Sequence, residues 1–269
     1  MIDPRTLGPA EQVLSVKYAH RQVRRSEVFH EYDSYGVPDE TLDMDYNFWV
    51  IRDADGITLV DTGYDVPARD WLGEIPVTPT PECLRLLDIA PESVTRVVTS
   101  HLHYDHIGFL GLFGNAEVVS GGAEYDYWFD KRAAGALAGE FTTEEDLAVV
   151  ATAEKDGRLR LVRDSQRVSD SIAVRPVGGH CPGELLVGVR AAGQPLLLAS
   201  DAAHFYEQIE HEWPFFAFTD LGEMRRALSL INQLAREFGA TVVPGHDART
   251  RDRFPALPGP ACDVAVVLG

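Results

Sequence analysis

The chain has 269 residues and a formal net charge of −18, with 45% hydrophobic and 25% charged residues. This composition is typical of a globular protein, and the length suits one large domain or two small ones. Because such an acidic chain repels phosphate groups, we expect neither nucleic acid nor an anionic membrane surface as a partner.

The cysteine count and the N-terminal sequence bear on the cellular compartment. Three scattered cysteines, Cys83, Cys181 and Cys262, do not make a disulfide framework. No apolar run approaches the roughly 20 residues that a membrane-spanning helix needs. The first residues lack a basic run followed by an apolar segment, which is the pattern of a secretory signal. We therefore expect a cytoplasmic protein with reduced thiols.

Apolar and β-branched runs predict strands along much of the chain. Residues 13–18 alternate, as a half-buried strand does. Residues 47–51 and 57–60 flank the turn sequence Asp53-Ala54-Asp55-Gly56 and predict a hairpin. Further strands are predicted at residues 94–99, 116–119, 172–176, 185–189, 196–199 and 241–243.

Helical spacing is clearest in residues 223–238, which place their apolar side chains on one face. Asp220 and Glu223 resemble a capping box at the start of this helix. Residues 144–155 predict a second helix beginning at Thr142 or Thr143, and weaker patterns lie at residues 81–89 and 123–132. Because the strands are not each followed by one helix, two packed sheets with outer helices fit better than a doubly wound sheet.

Four side chains of metal-ligand type lie within six positions, directly after the strand predicted at residues 94–99. They are His101, His103, Asp105 and His106. Residues two apart point the same way on an extended chain, so His101, His103 and Asp105 can converge. A curl at Ile107-Gly108 would turn His106 toward the same centre. Imidazoles and carboxylates suit zinc and related metals, so we interpret the cluster as a metal site rather than as surface histidines.

Three further candidate ligands follow strands or lie in glycine turns: His180, Asp201 and His246. Taken singly, Asp201 could cap a helix and the two histidines could belong to turns. Taken together with the first cluster, they complete a set of seven ligands, which is enough for two metal ions.

The His-x-His-x-Asp-His cluster with later His, Asp and His residues resembles the ligand pattern of the metallo-β-lactamase superfamily. The resemblance extends from Asp61-Thr62-Gly63 to Pro244-Gly245-His246, and we expect residues 1–269 to form a single domain. It implies an α/β fold, the four-layer αβ/βα metallo-β-lactamase sandwich. Two sheets would lie inside, helices outside and the metals at one sheet edge.

The resemblance also implies two divalent metal ions, with Zn²⁺ as the default. The first would be bound by His101, His103 and His180, and the second by Asp105, His106 and His246. Asp201 would bridge both ions alongside a hydroxide. Asp105 is in addition a candidate catalytic residue that protonates the leaving group. Asp61 would orient one of the ligand histidines.

Within the superfamily, residues 100–112, 200–207 and 243–247 are most similar to the N-acyl homoserine lactonases. The resemblance implies a quorum-quenching hydrolase in which the metal-bridging hydroxide opens a small-molecule lactone or ester. Histidine at position 103 favours hydrolysis over the redox chemistry of related di-iron proteins, which carry Glu there. Familiar lactonases carry a Tyr at the position of His204. The imidazole of His204 is therefore a second candidate catalytic residue, with Tyr206 as a nearby substitute and simple packing as the alternative.

Several alternatives stay open on the sequence alone. The chain could be another hydrolase of this fold, acting on thioesters, other esters or β-lactams, or a catalytically silent metal-binding protein. The aromatic groups at residues 125–129 and 213–218 could wall a pocket or form core or subunit contacts, which leaves a homodimer open. Cys181 is predicted to be a small packed side chain. The lactone and its acyl length are not determined.

Overall fold

The computed structural model describes residues 3–65 and 75–269. The described strands are β1 (Pro9–Ala10), β2 (Gln12–Arg24), β3 (Thr41–Asp53), β4 (Gly56–Val60), β5 (Val94–Val98), β6 (Glu117–Gly121), β7 (Leu159–Val162), β8 (Gln166–Arg167), β9 (Ile172–Val177), β10 (Glu184–Ala191), β11 (Gln194–Ser200), β12 (Thr241–Pro244) and β13 (Ala265–Val267). The described α-helices are α1 (Arg25–Val28), α2 (Thr80–Leu86), α3 (Tyr104–Ile107), α4 (Gly122–Ala133), α5 (Glu144–Lys155), α6 (Tyr206–His211), α7 (Leu221–Phe238) and α8 (Thr250–Arg253).

The strands form two mixed sheets. The first, sheet A, has the order β12-β11-β10-β9-β8, and β1 pairs with β10 in parallel. The second, sheet B, has the order β13-β2-β3-β4-β5-β6-β7. The predicted hairpin is confirmed, because β3 and β4 pair antiparallel with Asp53 opposite Gly56. Each predicted strand overlaps an observed one, whereas the short strands β1, β7, β8 and β13 were not predicted.

Alternation along the strands divides the apolar side chains into separate layers. In β3, Trp49 and Ile51 face the core between the two sheets, whereas Phe48 and Val50 face a core shared with α2, α4 and α5. In β11, Leu198 likewise belongs to the core between the sheets, and its neighbours belong to a third core under α7. Helices therefore cover the outer face of each sheet, and the predicted four-layer αβ/βα sandwich is confirmed.

Local capping explains where two of the three longest described helices, α7 and α5, begin. Asp220 accepts a hydrogen bond from the backbone N–H of Glu223 (2.7 Å), and α7 ends at Gly239 in the left-handed conformation (φ 62°). At α5 the cap is Thr143, whose side chain forms a reciprocal capping box with Asp146. The helix predicted at residues 144–155 therefore has the bounds expected from its sequence.

The topology brings several strand ends to one edge of the sandwich. β4 and β5 run parallel in sheet B, and β11 and β12 run parallel in sheet A. Their carboxyl ends, together with the end of β9, carry the segments that contain the predicted ligands. Within the described ranges, no helix is long and apolar enough to cross a membrane.

Near this edge, two glycines bring backbone segments of the two sheets into direct contact. A Cβ atom placed on Gly121, at the end of β6, would overlap the carbonyl oxygen of Gly183 in the segment between β9 and β10. A Cβ atom on Gly183 would in turn collide with the backbone of Glu124. Because no side chain fits between these segments, the chain following β9 is held tightly against the start of α4.

We expect Gly121→Ala to lower the free energy of unfolding by about 1–3 kcal/mol, because the added methyl must push two backbone segments apart. Gly114→Ala is the matched control, since a Cβ atom there meets nothing within 4 Å. That control should change stability by less than about 0.5 kcal/mol. Urea unfolding followed by circular dichroism measures both. Equal stability of the two variants would contradict the close contact.

Candidate metal centre

The predicted cluster at residues 101–106 changes conformation partway along. His103 has extended backbone angles and forms the N-cap of α3, which contains Asp105 and His106. The expectation that Asp105 converges by extended alternation is therefore wrong: a helical turn, which begins before Gly108, brings Asp105 and His106 to the centre. All four cluster side chains are buried.

The seven predicted ligands lie around one buried centre, although they come from four separate segments of the chain. The ligand atoms of His101, His103 and His180 lie within 4.8 Å of one another, together with the sulfur of Cys181. The ligand atoms of Asp105, His106 and His246 form a second group and also lie within 4.8 Å of one another. Two further groups link these sets: His101 with His106 and Asp201, and His180 with Asp201 and His204.

Asp201 lies between the first two groups, and each of its two carboxylate oxygens faces one of them. Its Oδ2 is 3.4 Å from His180 Nε2 and 3.9 Å from His101 Nε2. Its Oδ1 is 3.0 Å from His246 Nε2 and 3.4 Å from His106 Nε2. A carboxylate in this position can serve both groups at once.

The donor atoms of the centre fit divalent transition metals. His101 Nε2 and His106 Nε2 are buried without a hydrogen-bond partner among the described residues. Such orphaned polar atoms are costly unless a ligand satisfies them. Burial holds the pKa of His101 well below its usual value, so that imidazole is neutral and keeps a lone pair for a metal. Neutral imidazoles beside carboxylates are the ligand set of zinc and similar ions.

His106 has the opposite electrostatic setting. Burial lowers its pKa, but the carboxylates of Asp201, Asp105 and Asp61 outweigh burial and raise that pKa well above its usual value. Positive charge is thus favoured where His106 meets Asp105 and Asp201. A bound cation would supply that charge in place of the proton.

Asp61 holds several strand ends of the centre together. Its carboxylate accepts hydrogen bonds from the backbone N–H of Ser100 (2.7 Å), from the Ser100 hydroxyl (2.8 Å) and from the Ser200 hydroxyl (3.1 Å). The same carboxylate lies 2.8 Å from His106 Nδ1. With Nδ1 engaged by Asp61, His106 directs Nε2 into the centre, as expected for a residue that orients a ligand histidine.

Backbone carbonyls orient two other histidines in the same way. His180 Nδ1 donates to the carbonyl oxygen of Ala217 (3.0 Å), and His246 Nδ1 donates to that of Asp45 (2.9 Å). Each ring therefore turns Nε2 toward Asp201. Neither carbonyl could be identified from the sequence, since any residue type supplies one.

His103 is oriented differently from the other histidines. Its Nδ1 faces His180 Nε2 (3.1 Å), and its Nε2 lies 3.2 Å from the sulfur of Cys181. Cys181 is buried, as predicted, and it also contacts a ligand ring. Behind this contact, the buried carboxylate of Glu124 accepts from Leu102 N–H (3.1 Å) and Trp128 Nε1 (2.6 Å). Glu124 has no signature in the sequence, because its helix carries no motif.

His204 lies beside Asp201. Its Nε2 is 3.0 Å from Asp201 Oδ2, and its ring stacks on Phe215 at 3.4 Å between centroids. Burial lowers the pKa of His204 to about 3 against the opposing charge of Asp201, so the ring is neutral. Its Nδ1 is buried without a partner among the described residues. Tyr206 instead lies near Thr250 and does not line the adjoining cavity.

A cavity of about 220 Å³ opens onto the centre. Its floor includes Asp105, Asp201 and His204, and its apolar walls are formed by Val28, Met44, Tyr46, Phe141, Phe215, Phe216 and Ala217. Of the two predicted aromatic groups, residues 213–218 contribute to the walls. Residues 125–129 do not: Trp128 packs in the core, and Tyr125 stacks on Phe129. The lining also includes Arg21, which the sequence analysis did not single out.

We expect Asp61→Asn to weaken metal binding about 10–100-fold, because an amide cannot accept from both serines and His106 as the carboxylate does. Asparagine tolerates the left-handed backbone of this position (φ 67°), so the fold should survive. Competition with a chelator gives the affinity, and Asp55→Asn, at an exposed position, is the control. An unchanged affinity would rule out this orienting role.

Comparison with known proteins gives consistent matches. The family model of the metallo-beta-lactamase superfamily matches residues 43–246. An N-acyl homoserine lactonase AttM of Azorhizobium caulinodans is 31% identical over 233 residues, covering 79% of this chain and 85% of the relative. An N-acyl homoserine lactonase of a Bacillus species is 29% identical over 213 residues, covering 73% of this chain and 78% of the relative.

Solved structures resemble the fold closely. A quorum-quenching N-acyl homoserine lactone lactonase superimposes with a TM-score of 0.76 at 20% identity, covering 94% of this chain and 99% of that one. AidC, a dizinc quorum-quenching lactonase, superimposes with a TM-score of 0.68 at 16% identity, covering 90% and 92%. Because the family model spans most of the sequence and includes the ligand cluster, the chain belongs to the metallo-β-lactamase superfamily.

Proposed function

We propose that the protein is a dinuclear metal-dependent hydrolase that opens the ring of an N-acyl homoserine lactone or a related lactone. The observation that carries the proposal is Asp201, whose two oxygens face two separate groups of ligand atoms. The relatives named N-acyl homoserine lactonases, similar over most of their length, support the substrate class. We further propose that residues 1–269 act as one domain, since both sheets contribute to one shared core.

In this proposal Zn²⁺ ions occupy both groups. One ion would be held by His101, His103 and His180 and the other by Asp105, His106 and His246, and Asp201 would serve both. Such ions supply a water of lowered pKa and polarise the substrate carbonyl. A neighbour described as a dizinc lactonase supports this choice of metal.

The protein's own groups would position the lactone and handle its proton. The apolar walls exclude water, and the ring lies over the floor of the cavity. Asp105 has a pKa raised by burial, which suits a carboxylate that takes up a proton and passes it to the leaving ring oxygen. Tyr18 fixes the backbone of that residue by donating to the Asp105 carbonyl oxygen (2.6 Å).

His204 is proposed to contact the substrate carbonyl. Its ring is clamped between Phe215 and Asp201, with Nε2 toward the carboxylate. A substrate that displaces this contact would meet a neutral imidazole able to donate one hydrogen bond. The alternative is that His204 acts as an additional ligand, because its ligand atom groups with those of His180 and Asp201.

On metal-loaded protein we expect hydrolysis of acyl homoserine lactones to exceed that of a thioester and a β-lactam. Asp105→Asn should lower kcat by at least about 100-fold, because the shuttle contributes roughly that much in general acid–base catalysis. Asp130→Asn, at an exposed position of α4, should keep full activity. A pH-indicator assay measures ring opening. Good thioester cleavage without lactone cleavage would overturn the substrate class.

We expect His204→Ala to lower kcat for lactones by about 100-fold or more, the usual cost of losing one donor to the developing oxyanion. KM and metal content should change little. His204→Tyr, which restores a donor, should recover part of kcat. Steady-state kinetics and metal analysis by mass spectrometry measure these quantities. Loss of about one metal per chain in His204→Ala would instead identify the residue as a ligand.

A further inference from the structure

Arg21 has an unusual position for an arginine. Ala19 and Val23 on the same strand are buried in the core beneath the helices. Arg21 lies two residues from each of them, so all three side chains are on the same face of β2. The residue opposite it in β3 is Met44, which is buried in the same core. Arg21 is thus placed on the inner face of the strand, where an arginine is uncommon unless it is paired.

The neighbouring arginines of this strand region are paired, and Arg21 is not paired within the described residues. Arg24 binds Asp39, and Arg25 binds Glu40 and Glu207. No carboxylate of residues 3–65 or 75–269 lies within ion-pair distance of Arg21. Its Nε is buried and has no hydrogen-bond partner in the same part of the chain.

Arg21 also borders the cavity that opens onto the metal centre. Arg21 lines it together with Met44, Tyr46, Tyr104 and Asp105. Burial raises the pKa values of the Tyr46 and Tyr104 hydroxyls, and the positive charge of Arg21 opposes both shifts, so its charge acts at this wall. Among the described lining residues, Arg21 alone carries a permanent positive charge.

The charge balance of the occupied cavity favours an anion. The carboxylates on its floor, Asp105 and Asp201, would be engaged by bound cations, which leaves the charge of Arg21 without a counterpart among the described lining residues. A guanidinium in a partly buried, mostly apolar pocket is best satisfied by a carboxylate, which it can bind through two parallel hydrogen bonds. The cavity volume of about 220 Å³ lies below the roughly 300–1,000 Å³ of common ligand sites, so the part of the substrate that the cavity encloses is compact.

From these observations we infer that Arg21 is a specificity-determining residue, which binds a carboxylate carried by a compact lactone substrate at a distance from the ester that is cleaved. The inference rests on the proposed function of the centre and narrows its substrate class. It distinguishes this chain's preferred lactone from one that carries only a neutral acyl chain.

The test compares phthalide 5-carboxylate with phthalide 5-carboxamide, two bicyclic lactones of nearly the same shape, of which only the first is charged. We expect kcat/KM of the metal-loaded wild-type protein to be about 10–100-fold higher for the carboxylate, the usual contribution of a charge-assisted hydrogen bond. Arg21→Gln should remove this preference, chiefly through KM. Its kcat/KM for the carboxamide should change less than about 3-fold.

Arg24→Gln is the matched control. It removes the same charge from the same strand at an exposed position outside the cavity, and it should keep the full preference for the carboxylate. Arg21→Lys should retain part of the preference, because an ammonium keeps the charge without the two-pronged geometry. Circular dichroism verifies that each variant is folded.

Binding without turnover separates this inference from the proposed function. Calorimetry with isoindolinone carboxylate, the lactam analogue, should give a Kd about 10-fold or more weaker in Arg21→Gln, with no change for the neutral lactam. If no lactone is hydrolysed but this Kd difference is found, the proposed function fails and the carboxylate site stands. If lactones are hydrolysed with no preference, or Arg21→Gln affects both ligands equally, the carboxylate site is overturned.

Discussion

The buried carboxylate of Asp61 is the interaction on which the geometry of the centre depends. It lies directly after β4, and it binds Ser100, the second residue after β5, and Ser200, the last residue of β11. Through His106 it also reaches the helical turn that carries two of the proposed ligands. One side chain therefore fixes the relative positions of strand ends from both sheets, and the ligand positions follow from it.

The rest of the centre is a problem of burying charge. Imidazoles and carboxylates lose their interactions with water there. Only contacts with one another or with bound cations can replace those interactions. Asp201 faces five histidine nitrogens through two oxygens, while His101 and His106 each keep one nitrogen without a hydrogen-bond partner among the described residues. Metal binding would therefore add to folding stability as well as to chemistry, since the unfolded chain has no such arrangement.

Sequence patterns predicted most of the architecture because the long strands alternate and α7 has a single apolar face. The short strands were not predicted, since two to four residues carry no periodicity. The start of α3 was also missed, because His103, Asp105 and His106 interrupt any apolar pattern there. The residues that converge on the centre were recognisable from residue type and spacing. The groups that orient it were less so: the Ala217 and Asp45 carbonyls have no residue signature, and Arg21 is informative only once its strand face is known.

The hydrogen bond from His180 to the Ala217 carbonyl links the metal centre to the wall of the cavity. Ala217 belongs to the wall of the cavity, and His180 belongs to the centre. A shift of that wall to admit a different substrate would turn the imidazole, so substrate range and metal affinity cannot vary independently at this segment. The bond uses the backbone carbonyl of Ala217, so a change of the side chain at this position leaves the bond in place. Substitutions at position 217 can therefore reshape the cavity with little effect on the centre.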